Sequence, residues 1–355
     1  MRTNVIYSSS VILLLCTSWL SAQIQPWTPF PVAPSLDDQS APRIHGSIVV
    51  WHQFISDFGD YDVYVADINV PEITLVQVIG GPGDQLLPDV WGTTVVWQEF
   101  SIQPESEDWD IFGADVFNFN DPTYFTVSAV PYNDEQLPAI SGNVVVWQDG
   151  FEEDYNIYGA DITDLDFPKE FPIAAFEGNQ IAPAINRNTV VWQDDFWGDW
   201  DIFGSDIWLR SNPSEYLITP YESFQESPDV FGDIVVWQDD DAGNWDIYGV
   251  EPIDETQLGL FPITTHPAAQ MNPCIDGHIV VWEDDRQGNW DIFGYNLITQ
   301  QEFQITTDLS DQVLPRISGD TVVWQDNRNG VETVYAMILA GPEITTERLP
   351  RNENR

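Results

Sequence analysis

Basic residues are scarce in this chain. The sequence has 11 lysine and arginine residues against 58 aspartate and glutamate residues, for a formal net charge of −47, and Lys169 is its only lysine. Proteins that bind nucleic acid or an anionic membrane surface need a basic footprint that neutralises phosphates. The charge balance therefore argues against both classes of partner, and it favours cations, basic partners or a highly soluble surface.

Cysteine and histidine are also scarce. The cysteines are Cys16 and Cys274, and Cys16 falls in a segment predicted to be removed, so the mature chain cannot form an internal disulfide. The sequence contains no Gly-x-Ser-x-Gly nucleophile motif and no catalytic Cys/His signature. The four histidines show no metal-ligand spacing; they are His45, His52, His266 and His278. We therefore predict no catalytic residue and no metal ligand.

Long apolar runs are missing outside the first 22 residues. There, Arg2 precedes an apolar stretch that begins at Val11, and Leu20-Ser21-Ala22 offers small residues for cleavage before Gln23. This pattern predicts a secretory signal peptide in residues 1–22. A membrane anchor is the alternative, although the run is short and interrupted for a bilayer span. We expect a periplasmic, cell-surface or extracellular protein with no membrane span after cleavage, and a polar C-terminal tail in residues 347–355.

One unit recurs seven times along the rest of the chain. In the sixth copy, an apolar run ending at Trp282 is followed by an acidic turn around Gly288 and an aromatic run from Trp290 to Gly294. Two such runs separated by turn-forming residues predict a β-hairpin. The anchoring tryptophans recur every 42 to 50 residues, a period typical of propeller blades. They are Trp51, Trp97, Trp147, Trp192, Trp237, Trp282 and Trp324.

Each unit contains four predicted strands. In the fifth copy the first strand carries Gln225 and Pro228, the second ends at Trp237, the third runs from Trp245, and the fourth begins at Phe261. The second strands read Ile-Val-Val-Trp, and strands that are apolar on both sides are expected where both faces of a blade pack on neighbours. We therefore predict an all-β fold, a seven-bladed β-propeller of four-stranded blades in residues 23–346, with the seven tryptophans in the core.

Eight segments resemble the fourth strand, one more than seven blades need. The N-terminal segment Phe30-Pro31-Val32-Ala33 resembles Phe171-Pro172-Ile173-Ala174. We predict that this terminal strand completes the blade built by the C-terminal repeat, which closes the ring and removes exposed strand edges. The alternative is that Glu343-Ile344-Thr345-Thr346 supplies that strand locally.

The repeat resembles a known family. The pattern Pro-x-Ile-x-Gly-x-x-Val-Val-Trp-Gln-Asp, followed by an acidic glycine turn and Trp-Asp-Ile-Tyr, is similar to the TolB-type, WD-repeat-like β-propeller repeats of exported bacterial and archaeal cell-surface proteins. The resemblance covers about residues 30 to 346. It implies a propeller and export but no particular activity, because propellers host many functions. The TolB protein itself has six blades, so its role in envelope energy coupling is not carried over.

Acidic residues concentrate in two sets of loops. In a four-stranded blade, the loop joining the second and third strands and the loop entering the first strand open on the same side of the disc, called the loop face below. The loops entering the first strands carry Asp38, Asp84, Asp134 and Asp311. The candidate binding residues between the second and third strands are Asp194, Asp195, Asp239, Asp240, Asp241, Asp284, Asp285 and Asp326. We predict a negative face that concentrates cations or basic groups at the mouth of the central channel.

Calcium is a possible occupant of these loops. The run Asp239-Asp240-Asp241-Ala242-Gly243-Asn244 offers several oxygen ligands in a tight turn. Its spacing does not match an EF-hand loop, and aspartate and glycine are also what a plain turn requires. We therefore predict no required cofactor, with calcium as the alternative.

Two further groups of residues bear on function. The aspartate that follows the third-strand tryptophan recurs too regularly for a single active site, so we expect it to accept hydrogen bonds from backbone N–H groups of each adjoining turn. Examples are Asp110, Asp201, Asp246 and Asp291. Three tryptophans break the repeat and are candidates for exposed, sugar-stacking aromatics, with a packing role as the alternative. They are Trp91, Trp197 and Trp208.

Two functions fit these observations. The first is an exported, non-catalytic module that binds or scaffolds a protein or polysaccharide partner of the cell envelope or exterior through its acidic loop face. The alternative is a polysaccharide-active lyase or hydrolase. Some lyases of acidic sugars use similar seven-bladed propellers with a histidine-rich metal site, and this chain offers no matching histidine cluster. Carboxylate pairs for glycoside hydrolysis could come from almost any two acidic loops.

Overall fold

The regular structure of the described residues is entirely β. The computed structural model describes residues 27–69, 73–79, 83–102, 107–151, 154–211, 213–219, 222–254 and 257–340. These residues contain 28 strands, β1 to β28, and no helix. The predicted signal peptide of residues 1–22, the alternative closing segment of residues 343–346 and the tail of residues 347–355 lie outside the described residues.

The strands form seven antiparallel sheets of four strands each. Blade 1 contains β2 Gln39–His45, β3 Ile48–Ile55, β4 Asp60–Asp67 and β5 Thr74–Ile79. Blade 2 contains β6 Gln85–Trp91, β7 Thr94–Ile102, β8 Glu107–Asp115 and β9 Thr123–Ser128. Blade 3 contains β10 Asp134–Ser141, β11 Val144–Phe151, β12 Asp154–Asp161 and β13 Lys169–Ala174. Blade 4 contains β14 Gln180–Asn186, β15 Thr189–Asp194, β16 Asp201–Asp206 and β17 Ser214–Leu217.

The remaining three blades follow the same order. Blade 5 contains β18 Gln225–Phe231, β19 Ile234–Asp239, β20 Asp246–Asp254 and β21 Gln257–Thr264. Blade 6 contains β22 Gln270–Asp276, β23 Ile279–Asp284, β24 Asp291–Asn296 and β25 Gln301–Gln304. Blade 7 contains β26 Gln312–Ser318, β27 Thr321–Asp326, β28 Thr333–Ile338 and β1 Phe30–Pro31. The first strand of each blade contacts the first strands of both neighbouring blades, so these strands line the axis of a closed ring. The predicted seven-bladed β-propeller is confirmed.

The N-terminal segment closes the ring, as predicted. Strand β1 pairs antiparallel with β28, and Phe30 lies opposite Ala336. The pairing continues past the strand, where the Val32 N–H donates to the Val334 carbonyl at 2.8 Å. The Val334 N–H in turn donates to the side-chain oxygen of Gln39 in blade 1, at 2.9 Å. Strand β28 is therefore paired on both sides, and blade 7 is joined to blade 1 by main-chain and side-chain bonds.

The core lies between the blades. All seven anchoring tryptophans are at most 1% exposed, which confirms the prediction that they are core residues. Each packs against the preceding blade, as Trp192 does against Val146 and Ile157 of blade 3. Trp51 packs in the same way against Val323 of blade 7. Because every repeat completes its neighbour's core, no blade can bury its apolar faces alone.

A hydrogen bond that the sequence analysis missed joins each of blades 1 to 6 to the next blade. Every first strand contains a β-bulge at which one non-glycine residue has a φ of about +50°. In blade 4 this residue is Ala182, and its N–H donates to the Gln148 side-chain oxygen of blade 3 at 3.1 Å. The glutamine that follows an anchoring tryptophan thus links its blade to the next one by a hydrogen bond. The positive-φ residues are Ala41, Leu87, Leu137, Ala182, Ser227, Asn272 and Leu314.

Candidate binding face

Four of the eight candidate aspartates are buried. Asp284 and Asp326 are 0% exposed, and Asp194 and Asp239 are 5% exposed. Each accepts a hydrogen bond from the indole N–H of the anchoring tryptophan two residues earlier, at 2.9 to 3.5 Å. The other carboxylate oxygen accepts the backbone N–H two residues later in the loop. The expectation that these four form an accessible acidic surface is therefore wrong, because they hold the turn onto the core.

Three more of the candidates connect the two kinds of loop. Asp240 accepts the Phe224 N–H at 2.9 Å, and Asp285 accepts the Ala269 N–H at 2.8 Å. Asp195 does the same with the Asn179 backbone at 2.6 Å. These carboxylates are half-buried. They shape the loop face and contribute negative charge to it, while their lone pairs are partly used within the protein.

Asp241 is the one candidate aspartate that is exposed. The acidic residues of the loops that enter the first strands are used as well, since each accepts a backbone N–H from the preceding blade. The N–H of Tyr61 donates to Asp84 at 3.1 Å, and the N–H of Trp109 donates to Asp134 at 3.2 Å. The N–H of Trp290 donates to Asp311 at 3.0 Å, and the N–H of Glu332 donates to Asp38 at 3.1 Å. Much of the repeated acidity is therefore structural.

The three candidate tryptophans lie in different environments. Trp197 is 57% exposed in the β15–β16 loop, on the loop face. Trp208 is 75% exposed, but it lies in the β16–β17 loop and therefore on the opposite face. Trp91 is half-buried, with its ring centroid 4.2 Å from that of His45. Trp91 has the packing role, because this contact covers its ring, and Trp197 and Trp208 cannot contact one ligand surface.

The exposed aromatic residues of the loop face are concentrated in three adjacent blades. Phe196 and Trp197 stand side by side in blade 4, with their ring centroids 5.8 Å apart. The neighbouring loops of blades 3 to 5 add four more rings that are 44% to 65% exposed. The six residues, which we call the aromatic arc, are Tyr132, Phe151, Phe176, Phe196, Trp197 and Phe224. Sequence reasoning missed five of them, since phenylalanines scattered in variable loops give no repeated signal.

Arginines replace the aromatic residue at the equivalent position in blades 6 and 7. Arg286 stands two residues after Asp284, as Phe196 stands two residues after Asp194. Its guanidinium binds both oxygens of Asp284, at 2.8 and 2.6 Å, and Glu302 at 2.5 Å. The guanidinium carbon lies 4.2 Å from the centre of the Phe293 ring.

Blade 7 repeats this arrangement in part. Arg328 bonds both oxygens of Asp326 and lies over the Tyr335 ring at 4.4 Å. Two of the four buried aspartates thus have a cation of their own.

Blade 4 has a concentration of acidic groups without such a cation. Asp201 lies directly opposite Asp194 across β15 and β16 and is 2% exposed. Burial, together with the charges of Asp199 and Asp194, raises the pKa of Asp201 to about 7. Burial and the charge of Asp194 also raise the pKa of Glu215 to about 7. These groups therefore lie close enough to affect each other's ionisation.

The repeated third-strand aspartate does not have the predicted partners. Asp291 accepts the Thr306 hydroxyl at 3.2 Å, and Asp246 accepts the Asn244 side-chain amide at 3.0 Å. Asp201 Oδ1 has no hydrogen-bond partner among the described residues. The expectation of backbone N–H donors from the adjoining turn is wrong for Asp291 and Asp246, because neighbouring side chains bond these carboxylates instead.

The central channel carries both signs of charge. The residue after the first-strand proline points to the axis in each blade, and it is arginine in blades 7 and 1, as Arg316 and Arg43. Asp89, the next in the ring, has one oxygen 4.0 Å from Arg43 Nε and accepts the Ile140 N–H at 2.8 Å. Burial and the nearby Arg316 lower the pKa of Arg43 to about 10. The channel is thus not uniformly acidic like the loops at its mouth.

The histidines serve the fold. Nδ1 of His52 accepts the Leu87 N–H at 3.2 Å, and Nδ1 of His45 accepts the Gly92 N–H at 2.9 Å. Burial and the charge of Arg43 lower the pKa of His52 to about 4, so it stays neutral. The described residues contain no group of three or more His, Cys, Asp or Glu that could hold a metal ion. Calcium binding stays an untested prediction.

The comparisons with known proteins identify the architecture only. No protein-family model matches the chain, and no curated protein matches it. A puromycin-hydrolyzing peptidase from Mycobacterium tuberculosis matches with a TM-score of 0.63 and 14% identity; the match covers 89% of this chain and 54% of the peptidase. The chain thus spans about half of that enzyme's length.

Two further solved structures are similar. An oligogalacturonate lyase in complex with manganese matches with a TM-score of 0.62 and 13% identity, over 88% of this chain and 93% of the lyase. TolB from Acinetobacter baumannii matches with a TM-score of 0.47 and 13% identity, over 72% of this chain and 62% of TolB. At these identities the likeness to the peptidase and the lyase shows a shared propeller fold and no shared chemistry. The described residues also contain no helix that is long and apolar enough to cross a membrane.

Proposed function

We propose that the protein is an exported binding module that holds a protein or polysaccharide partner of the cell envelope or exterior on its loop face. The observation that carries this proposal is the aromatic arc. Aromatic side chains are typical anchors of binding surfaces, because they bury a large area at a small cost in conformational entropy. The arc is confined to blades 3 to 5, so it is a local feature added to the repeated frame.

The surroundings of the arc select the kind of partner. The chain has a net charge of −47, and Asp241 is exposed on the same face. Like charges across an interface are unfavourable and slow association, so polyanions are disfavoured and neutral or basic surfaces are favoured. The aromatic rings would supply the affinity, and the carboxylates the selectivity.

A paired substitution tests this proposal. The mature protein, with and without calcium, is applied to an array of glycans and polyuronates and to pull-downs from an envelope fraction. Changing Phe196→Ala together with Trp197→Ala should weaken capture of the bound partner at least about tenfold, the loss of two aromatic anchors. The matched control is Phe117→Ala, which removes a ring that is 84% exposed on the opposite face and should leave capture unchanged. Equal losses for both variants would contradict the proposal.

The same experiment separates binding from catalysis. Any glycan that is captured is incubated with the protein and examined for breakdown products. Release of unsaturated or hydrolysed fragments would make the lyase or hydrolase alternative the better description. Capture without fragments supports the binding module.

A further inference from the structure

The arginine site of blade 6 shows what the blade frame can hold. The guanidinium of Arg286 donates hydrogen bonds to the carboxylates of Asp284 and Glu302, with N–O distances of 2.5 to 2.8 Å. The ring of Phe293 forms its floor, with the guanidinium carbon 4.2 Å above the ring centre. Bidentate carboxylate contacts and an aromatic face are the two kinds of interaction that suit a planar guanidinium best.

Blade 4 repeats this frame. Asp194 pairs across the strands with Asp201, and Ser205 pairs with Glu215, just as Tyr295 pairs with Glu302 in blade 6. Directly opposed residues of antiparallel strands project to the same side of a sheet, and so do alternate residues of one strand. Asp194, Asp201, Phe203 and Glu215 therefore share one face of blade 4.

The cation is missing from this frame. At the position of Arg286 the chain has Phe196, which is 53% exposed. Among the described residues, no lysine, arginine or histidine forms an ion pair with Asp194, Asp201 or Glu215. Asp194 keeps its bonds to the Trp192 indole and the Phe196 N–H, but the frame has no cation like the one that blade 6 supplies.

Two buried polar atoms on this face of blade 4 have no hydrogen-bond partner among the described residues. Asp201 is 2% exposed and its Oδ1 accepts no hydrogen bond. Ser205 is 0% exposed and its hydroxyl is also unpartnered. In blade 6 the equivalent of Asp201 is Asp291, which accepts a hydroxyl from Thr306. Buried polar atoms usually have hydrogen-bond partners, so an entering donor would satisfy an oxygen that the protein itself leaves unpaired.

Trp197 packs against the aromatic ring of this site. Its ring centroid lies 5.7 Å from that of Phe203, at an interplanar angle of 37°, on the ring that is equivalent to the floor of the blade 6 site. More than half of the Trp197 side chain is exposed, so it can move aside or stack on an entering group. Cations are attracted to the faces of such rings.

We propose that blade 4 carries a docking slot for an arginine side chain of a basic polypeptide partner, formed by Asp194, Asp201, Glu215, Phe203 and Trp197. The inference rests on the proposed function, because the slot lies at the aromatic arc and shares Trp197 with it. The aromatic floor suits a guanidinium, whereas a hard metal ion would need six to eight oxygen ligands. In this slot, the arginine of a partner makes the kind of contacts that Arg286 makes within blade 6.

The test uses a small probe and variants of the mature chain. N-acetyl-arginine amide is titrated into the protein by isothermal calorimetry, with N-acetyl-citrulline amide as the neutral isostere. Wild type should bind the arginine probe in preference to citrulline, and Glu215→Gln should weaken that binding about tenfold by removing one carboxylate contact. The control Asp57→Asn removes the same charge from an exposed loop-face position in blade 1 and should change affinity by less than about twofold.

A second variant fills the slot from within. Phe196→Arg introduces the side chain that blades 6 and 7 carry at this position, and it should abolish binding of the probe while raising the melting temperature. Phe58→Arg adds the same charge to the loop of blade 1, where the side chain is 81% exposed, and should do neither. Undiminished probe binding by Phe196→Arg, or equal affinities of the Glu215→Gln and Asp57→Asn variants, would overturn the slot.

Failure of the slot and failure of the proposed function give different results. If Glu215→Gln and Phe196→Arg leave probe binding intact while the double alanine variant of the arc still loses its partner, only the slot is wrong. If the slot variants behave as expected and the arc variant captures every partner as well as wild type, the proposed function is wrong. A captured partner that proves to be a glycan, held equally well by Glu215→Gln, would overturn the assignment to a polypeptide.

Discussion

Blade 6 and blade 4 have the same arrangement of strands. They differ at one loop position, where blade 6 has a cation and blade 4 has an aromatic residue. In blade 6, Arg286 neutralises the buried Asp284 from within. In blade 4, Phe196 occupies that position, and no ion pair among the described residues involves Asp194. The comparison shows that the aspartate belongs to the frame of every such blade, because it bonds the anchoring tryptophan and the turn. The position two residues later is free to vary, so it can serve stability in one blade and recognition in another.

Removing the cation of blade 6 should have the largest effect on stability. We expect Arg286→Met to lower the free energy of unfolding by about 3 kcal/mol, since it leaves the fully buried Asp284 carboxylate without its partner. Urea denaturation at pH 7 measures this. Adding Asp284→Asn to the Arg286→Met background should restore part of the loss, because the uncompensated charge is then gone. No recovery in the double variant would show that packing of the arginine stem, rather than its charge, matters.

Blade 3 extends the comparison to a second buried acid. Six blades begin their first strand with a glutamine that donates to the preceding loop, as Gln180 does to the Gly178 carbonyl at 2.9 Å. Blade 3 has Glu135 there, which is 0% exposed and accepts the Val130 N–H at 3.1 Å. Burial, and the charges of Asp149 and Asp110, raise the pKa of Glu135 to about 9.

The pH dependence of the Glu135→Gln variant follows from that shift. Between about pH 4.5 and 9 the folded protein keeps a proton on Glu135 that the unfolded chain releases, so this group lowers stability as pH rises through that window. Glutamine does not titrate. We expect Glu135→Gln to raise the free energy of unfolding by about 2 kcal/mol at pH 8 and to have little effect near pH 4.5. Denaturation curves at both pH values test this, and a gain that is equal at both would refute the titration argument.

The smallest expected effect concerns the third-strand aspartate, which is Asp201 in blade 4 and Asp291 in blade 6. The pKa of Asp201 is raised to about 7 and its Oδ1 has no partner. Its stability contribution therefore falls as pH rises from about 4 to 7, and we expect Asp201→Asn to stabilise the protein by about 1 kcal/mol at pH 8. Asp291→Asn in blade 6 should gain less, because Asp291 accepts the Thr306 hydroxyl. Equal melting temperatures for the two variants would remove the distinction between the blades.

The fold could be predicted almost completely from the sequence. The period of the anchoring tryptophans indicates the number of blades, and the Ile-Val-Val-Trp runs indicate strands that are buried on both faces. The extra Phe30-Pro31-Val32-Ala33 segment predicted the closure that the pairing of Phe30 with Ala336 confirms. These features can be recognised in the sequence because they recur. A pattern that is shared by all the repeats reflects what every blade requires and is not a chance arrangement.

The candidate site could be predicted only in part. Asp194 and Trp197 were identified from the sequence, but the burial of Asp194 and the opposite placement of Trp208 depend on how the loops fold. Trp91 was one candidate for an exposed aromatic, with packing as the other reading, and it packs on His45 from the neighbouring blade. Phe196 and Glu215 gave no signal, because neither belongs to a motif and they are brought together by different strands.

The sequence by itself determined the seven blades, their tryptophan core and the closure of the ring, because local strand patterns recur with a fixed period and each copy must bury the same surfaces. Only the tertiary structure decided which carboxylates are consumed by turns, which have a cation, and which in blade 4 have none. Burial and pairing depend on residues that are distant in the chain and on which face of the disc each loop opens. Those are properties of the folded ring and not of any single repeat.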